Sequence, residues 1–263
     1  MNILQKIFDF ILNHSIWVAI SVVCLTQISG FNLNITISKN LLFFVGFGTI
    51  AGYNFIKHYQ PQKIQLHLNI ATILNVISTL LCMYFFLQLK INTQIAIVIP
   101  FLITLFYAIP FGKKSLRNLA GLKIYAIAFC WVWVTVILPI INADVLWTTA
   151  VFLEIVQRFV FVIAITLPFE IRDVQADPEN LHTIPQQFGI KNTKMYGLFL
   201  LMIFFFLTFF KDTVPHKNLT ILPLIFLCSL LFIMLAKKTQ TKYYSSFFVE
   251  GIPILWLLLW LIL

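Results

Sequence analysis

Charged residues are scarce in this chain. Only 10% of its 263 residues are Asp, Glu, Lys or Arg, whereas 60% are hydrophobic and the mean hydropathy is +0.95. A soluble domain carries about a quarter charged residues, so the composition excludes an ordinary soluble protein and predicts an integral membrane protein. The net charge of +9 does not call for a nucleic-acid partner, because basic residues gather on the cytoplasmic side of membrane proteins.

Cysteine pairs with the spacing of a metal or redox site are also lacking. The four cysteines stand singly in apolar stretches, without a C-x-x-C or Cys/His pattern. The sequence therefore predicts neither a zinc site nor a disulfide framework. The first residues contain no small-residue cleavage site after a short apolar core, so no removed signal peptide is expected.

Apolar runs long enough to cross a bilayer fill most of the chain. A spanning helix needs about 20 mostly apolar residues. Nine runs meet this condition: 14–31, 40–57, 67–88, 95–111, 119–141, 145–169, 194–210, 219–236 and 246–262. The loops between them are short, which leaves no room for an extramembrane domain. We expect one membrane-embedded domain over residues 1–263, an all-α polytopic bundle of nine transmembrane helices.

The distribution of Lys and Arg between the loops predicts the orientation of this bundle. With the N-terminus inside, thirteen of these residues lie on the cytoplasmic side and four on the opposite side. Positive residues favour cytoplasmic loops. We therefore expect a multi-pass protein of an inner or plasma membrane, with its polar segments on the cytoplasmic face.

A polar segment at 170–189, EIRDVQADPENLHTIPQQFG, interrupts the apolar sequence and holds four of the nine acidic residues. Glu170, Asp173 and Asp177 are spaced i, i+3, i+7, which places three carboxylates on one face of a helix. Like charges on one face repel each other, by roughly a few tenths of a kcal/mol per pair, so a bound cation is expected. Oxygen ligands on a short segment suit Mg²⁺. The alternative is a solvated connecting loop.

Two prolines frame these carboxylates. Pro168 is expected to loosen the end of the sixth span. Pro178 is expected to push Asp177 out of the helical region and to turn the chain. The carboxylates are thus predicted on the last turns of a long helix as it leaves the membrane.

A second group of candidate residues lies between the fourth and fifth predicted spans. Lys113, Lys114, Arg117 and Lys123 place four cations within eleven residues, close to Tyr107. A cationic pocket at the membrane surface attracts phosphate, and the forked guanidinium suits it well. The alternative is ordinary positive-inside topology with contacts to anionic lipid head groups.

Polar residues in two further spans complete the candidates. Asn54 and Lys57 end the second span, where no acid accompanies them. Lys57 is a candidate phosphate contact, and the alternative is that its side chain only extends to the interface. Glu154 and Arg158 are spaced i, i+4 within the sixth span. Charges inside a bilayer are costly and face the protein interior, so these two are expected to form an internal ion pair.

The polar segment resembles the second acidic motif of the UbiA-type polyprenyl transferase superfamily. That motif reads D-x-x-D-x-x-x-D, followed by a Thr-Leu-Pro segment and a Gly. Here it is matched by Glu170, Asp173 and Asp177, and then by residues 183–189. Only the first acid departs from the pattern, to Glu, which can still ligate a metal.

Two other motifs of the superfamily have partial counterparts. Its Tyr–Pro–Lys stretch is matched by Tyr107, Pro110 and either Lys113 or Lys114. Its first acidic motif, after the second helix, is matched only at Asn54, and the acids of that motif are missing.

The resemblance implies a divergent membrane-embedded prenyltransferase. In the family, Mg²⁺ binds the diphosphate of a prenyl donor, diphosphate leaves, and an aromatic or lipid acceptor captures the allylic cation. The implied metal and catalytic residues are Glu170, Asp173 and Asp177; the implied substrate-binding residues are Asn54, Lys57, Tyr107, Lys113, Lys114, Arg117 and Arg172. Because one acidic motif is missing, the alternative is a catalytically degenerate protein that binds lipid or assists assembly. A transporter is a third reading.

Overall fold

Helices make up nearly all of the described chain, and no strand occurs among the described residues. The computed structural model describes residues 3–58, 70–109, 121–211 and 214–263. Its helices are α1 (Ile3–Asn13), α2 (Ile16–Leu33), α3 (Lys39–His58), α4 (Ile70–Phe86), α5 (Ile91–Ala108), α6 (Lys123–Val132), α7 (Leu138–Asn142), α8 (Thr149–Asp173), α9 (Ile184–Phe206), α10 (His216–Leu235) and α11 (Ile252–Ile262). Two π-helical segments, Trp133–Ile137 and Tyr244–Val249, connect α6 to α7 and precede α11.

Helices occupy the positions of all nine predicted spans. Within the described ranges, seven helical stretches are long and apolar enough to cross a membrane: Ile16–Leu33, Ile91–Ala108, Lys123–Asn142, Thr149–Asp173, Ile184–Phe210, His216–Leu235 and Tyr244–Ile262. The apolar helix α4 is shorter, with 17 residues, and α3 has 20 residues. The prediction of an all-α integral membrane protein is confirmed, and the number of nine spans stays a prediction.

The central helix of the bundle is α8, which packs against α2, α6, α9 and α10. Near its midpoint Phe161 meets Phe204 of α9 and Trp256 of α11, with ring centroids 4.9 and 5.4 Å apart. All three aromatic side chains are buried. Because Glu154 and Glu170 lie on either side of this aromatic contact, α8 holds a polar site towards each end of the bundle.

The prolines around the acidic motif act differently from one another. Pro168 lies inside α8 and does not end it, since the helix continues to Asp173. The carbonyl oxygen of Pro168 accepts a hydrogen bond from Gln240 Nε2 at 2.8 Å. Asp177 lies in the turn before Pro178, outside the helix as predicted. Only Glu170 and Asp173 therefore belong to α8.

Glu154 and Arg158 form the predicted internal ion pair. Arg158 Nη2 lies 2.9 Å from Glu154 Oε1, and both side chains are buried. The same carboxylate accepts hydrogen bonds from Lys211 Nζ at 2.6 Å and from Asn32 Nδ2 at 3.2 Å. Lys211 also donates to Gln157 Oε1 at 2.8 Å. One carboxylate thus pairs with two buried cations and joins α2, α8 and the chain just after α9.

The short helix α1 is tied to the segment before α11 through Asp9. Asp9 Oδ1 accepts hydrogen bonds from Lys242 Nζ at 2.6 Å and from Tyr243 OH at 2.7 Å. The bond from Lys242, supported by that from Tyr243, lowers the pKa of Asp9 below its ordinary value of 3.8. This attachment is therefore fully present above the ordinary pKa, and it is lost as the pH falls through the lowered one.

Acidification from pH 7 to a pH below the ordinary Asp9 pKa of 3.8 is expected to release α1 progressively. Hydrogen exchange of the α1 amides, corrected for the intrinsic rate at each pH, should accelerate below the ordinary pKa of Asp9. The Asp9→Asn variant should exchange fast already at pH 7 and change little with pH. Equal protection of α1 in the wild type at both pH values would contradict this role of Asp9.

Candidate functional site

Two carboxylates of the acidic motif share one lysine. Lys123 Nζ, at the start of α6, lies 3.2 Å from Glu170 Oε1 and 3.2 Å from Asp177 Oδ2. Glu170 is buried, with 3% of its side chain exposed, and Asp177 is partly buried at 19%. A buried carboxylate is costly unless it is paired, so the packing of α6 on α8 supplies the cation that stabilises Glu170. We call Glu170 and Asp177 the acid pair.

The third carboxylate of the motif has a partner of its own. Arg172 Nε lies 2.6 Å from Asp173 Oδ1, and Arg172 Nη2 lies 3.0 Å from Asp173 Oδ2, a two-pronged contact. The guanidinium also stands over the ring of Phe169, 5.3 Å from its centroid. Asp173 interacts electrostatically with Glu170. Nevertheless, no three His, Cys, Asp or Glu side chains of the described residues are grouped so that they could hold a metal ion.

The turn after α8 fixes the position of Asp177. The Asp177 amide donates to the Asp173 carbonyl at 2.8 Å. After a 3₁₀ turn at Glu179–Leu181, α9 begins behind Thr183, whose amide donates to Gln186 Oε1 at 2.9 Å. Gln186 Nε2 donates to the Asp177 carbonyl at 3.1 Å. The start of α9 therefore holds the turn that carries the second carboxylate of the acid pair.

A cavity of about 10 Å³ lies beside Lys123 and Glu170. Its lining residues are Gly121, Lys123, Ile124, Glu170, Leu181, Thr183 and Ile184. This volume has room for about one water-sized group. Thr183 is buried and forms a capping box with Gln186 at the start of α9. Gly121, with φ +70°, donates its amide to the Leu181 carbonyl at 2.8 Å and so closes one side of the cavity.

Asn54 and Lys57 meet at Ser15, between α1 and α2. Ser15 Oγ donates to Asn54 Oδ1 at 3.0 Å, and Lys57 Nζ donates to Ser15 Oγ at 2.9 Å. Lys57 Nζ also donates to the carbonyls of Leu12 and Asn13, at 3.4 and 3.3 Å, where a cation is favoured by the end of helix α1. Asn54 is buried, and its Nδ2 has no partner among the described residues. Lys57 thus anchors α1, and its phosphate contact stays a prediction.

Tyr107 interacts with residues of both α6 and α3. It is buried at the end of α5 and interacts electrostatically with Lys123 and with Tyr53. Tyr53 accepts a hydrogen bond from Trp131 Nε1 at 2.8 Å. The structure therefore brings Tyr107 within electrostatic range of Lys123, the partner of the acid pair. The remaining predicted phosphate contacts, Lys113, Lys114 and Arg117, lie outside the described residues.

Glu250 belongs to this region and was missed from the sequence. It stands between the π-helical segment Tyr244–Val249 and α11, and its carboxyl group interacts electrostatically with Lys57, Arg172 and Tyr53. Among the described residues no salt bridge or hydrogen bond to this carboxyl group occurs. An acidic residue within a predicted span is costly and is by default a functional candidate. That signal, at position 250, was available in the sequence.

Comparison of the sequence with protein-family models finds no match, and neither does comparison with curated proteins. Solved structures match over nearly the whole chain. The apo structure of a UbiA homolog from Aeropyrum pernix K1 has a TM-score of 0.66 at 14% identity, covering 95% of this chain and 98% of that one. A UbiA homolog from Archaeoglobus fulgidus bound to GPP and Mg²⁺ has a TM-score of 0.65 at 12% identity, covering 96% and 97%. A digeranylgeranylglyceryl phosphate synthase has a TM-score of 0.58 at 17% identity, covering 98% and 97%.

Proposed function

Because the chain has the UbiA-type fold, we propose that it is a prenyltransferase, which binds a prenyl diphosphate at the acid pair and transfers the prenyl group to a hydrophobic acceptor. The observation that carries this proposal is the acid pair, in which a buried and a partly buried carboxylate share one cationic partner at 3.2 Å. It belongs to the segment that matches the second acidic motif of the superfamily. The Archaeoglobus fulgidus homolog, bound to GPP and Mg²⁺, supports the choice of ligand.

The oxygens of the acid pair fit a divalent cation. Glu170 and Asp177 direct one oxygen each at the same ammonium group, and Mg²⁺ prefers oxygen ligands. These two carboxylates would hold Mg²⁺. Asp173 would join them if Arg172 left it to bind a phosphate group. The bound ion would neutralise charge on the diphosphate leaving group.

The cations of this region support the departure of diphosphate. The bond between prenyl C1 and the diphosphate oxygen breaks, and its electron pair leaves with diphosphate. Cations placed where this charge develops lower the barrier, and Lys123 and Arg172 stand next to the carboxylates. We propose Lys113, Lys114 and Arg117 as further phosphate contacts. Asn54, Lys57 and Tyr107 would orient the donor or the acceptor, which then captures the allylic cation.

We also propose that residues 1–263 form one membrane-embedded domain with the acid pair on the cytoplasmic side. The excess of Lys and Arg in the loops at this end supports that orientation. Lys242, which is half exposed, is an accessible marker for it. A membrane-impermeant amine reagent should modify Lys242 only in vesicles whose cytoplasmic face is outward.

A second candidate function is favoured by the chemistry of α3. No acid of the first motif is present there, and Lys57 is engaged at the end of α1. A protein that has only the second of the two acidic motifs could retain a prenyl diphosphate or another lipid without turnover. Such a protein would act as a lipid-binding or assembly factor.

Titration of Mg²⁺ into the purified full-length protein with geranylgeranyl diphosphate distinguishes the two functions. Ligand retention and diphosphate release are followed together, with a panel of aromatic and lipid acceptors. We expect Mg²⁺-dependent retention accompanied by release. Retention without release across the panel would favour the lipid-binding protein, and no retention at all would refute both proposals.

The Asp173→Asn variant tests whether the acidic motif is the binding site. It should weaken Mg²⁺-dependent retention of geranylgeranyl diphosphate by about tenfold or more, in the range typical for disturbed metal sites. Glu179→Gln is the matched control, because Glu179 is an exposed acid six residues further along the chain. Unchanged retention in Asp173→Asn would remove the motif from the proposed function.

A further inference from the structure

Lys123 stands where a cation bound to the acid pair would stand. Its ammonium group is 3.2 Å from an oxygen of each carboxylate. Only 21% of its side chain is exposed. The contact is therefore a largely enclosed, charge-compensating arrangement, in contrast to an exposed surface pair. Lys123 thus offsets part of the negative charge of the two carboxylates without any ligand.

This arrangement opposes a resident divalent ion. A metal that approaches the acid pair must either displace the ammonium group or bear its repulsion at a few ångströms. Mg²⁺ gives up its water shell reluctantly and usually needs several oxygen ligands, often including substrate phosphates. The described residues supply two converging carboxylates here, since Asp173 is paired with Arg172. The protein's own oxygens are too few to move Lys123 aside.

We propose that Lys123 is the built-in counter-ion of the acid pair, so that a divalent cation enters only together with a diphosphate group. A diphosphate offers oxygens both to Lys123 and to the divalent cation. It accepts hydrogen bonds from the ammonium group and supplies ligands to the metal. Lys123 then passes from the carboxylates to a phosphate oxygen. This inference rests on the proposed binding of a prenyl diphosphate.

Binding of Mn²⁺, measured by electron paramagnetic resonance of the full-length protein with and without inorganic pyrophosphate, tests the counter-ion role. The wild type should bind Mn²⁺ only when pyrophosphate is present. Lys123→Met removes the charge and keeps the length of the side chain, so Mn²⁺ should bind without pyrophosphate, with an affinity higher by about tenfold or more. Lys123→Arg, which keeps the charge, should behave as the wild type.

Two comparisons make the result specific. Lys194→Met is the matched control: Lys194 is a partly buried lysine that donates to the Met234 carbonyl and makes no salt bridge among the described residues, so its loss should change nothing. Adding Glu170→Gln to Lys123→Met should abolish the gained Mn²⁺ binding. If the double variant Lys123→Met/Glu170→Gln still binds Mn²⁺ without pyrophosphate, the ion is bound elsewhere and the inference is overturned.

The outcomes also separate this inference from the proposed function. Equal Mn²⁺ binding by wild type and Lys123→Met without pyrophosphate would overturn the counter-ion role. A gain in Lys123→Met, combined with no effect of pyrophosphate on the wild type, would leave the counter-ion role standing but refute the diphosphate site. If Lys123→Met does not fold, as judged by gel filtration, Lys123→Gln is measured in its place.

Discussion

Replacing Glu154 by glutamine is expected to destabilise the protein by about 3–5 kcal/mol, the range observed when one partner of a buried ion pair is removed. Glu154 accepts hydrogen bonds from both Arg158 and Lys211, whose side chains are 1% and 5% exposed. Glutamine is isosteric but uncharged, so two buried cations would lose their counter-ion. Loss of a proton cannot relieve Arg158, because its guanidinium stays charged in proteins.

Thermal unfolding in a fixed detergent measures this loss. Asp144→Asn is the matched control, because Asp144 forms an exposed ion pair with Lys90. The side chain of Lys90 is 53% exposed and that of Asp144 is 62% exposed. Such surface pairs contribute about 0–1 kcal/mol. A Glu154→Gln variant as stable as Asp144→Asn would show that the cations find other partners or water, and that the network does not hold α2, α8 and α9 together.

The positions of the helices could be predicted from the sequence, because each apolar run is a local property of the chain. The ion pair of Glu154 and Arg158 was predictable for the same reason, since i, i+4 neighbours face each other within one helix. The π-helical segments Trp133–Ile137 and Tyr244–Val249 could not be predicted from the sequence. Trp133–Ile137 lies within one predicted span and Tyr244–Val249 at the start of another, and hydropathy does not distinguish a π-helical turn from an α-helical one.

The partners within the acid motif could not be predicted. Helical spacing suggested that Glu170, Asp173 and Asp177 act as one group, but α8 ends at Asp173. Lys123 bridges two of these acids because α6 packs on α8, and it is 54 residues from Asp177 in the chain. Arg172 forms an ion pair with the third acid, Asp173, which is its neighbour in the sequence. Tertiary packing therefore decides which acid meets which cation.

Replacing Glu170 by glutamine is expected to lower the rate of diphosphate release by about 10²–10³-fold, the effect of removing one electrostatic group from an active site. Glu170 is the most enclosed carboxylate of the motif, at 3% exposure. It stands opposite Asp177 across Lys123. Glutamine cannot supply the negative charge that draws cations to this position, although Asp177 continues to pair with Lys123. The variant should therefore fold and yet fail in turnover with geranylgeranyl diphosphate and Mg²⁺.

Glu170→Asp and Glu179→Gln are the controls for this loss. The superfamily motif has Asp at the position of Glu170, so the shorter acid should keep diphosphate release within about tenfold of the wild type. Glu179 is exposed, and its replacement should leave the rate unchanged. A Glu170→Gln variant that releases diphosphate as fast as the wild type would show that the buried carboxylate only stabilises Lys123. Catalysis would then depend on the cations of this region, without the acid pair.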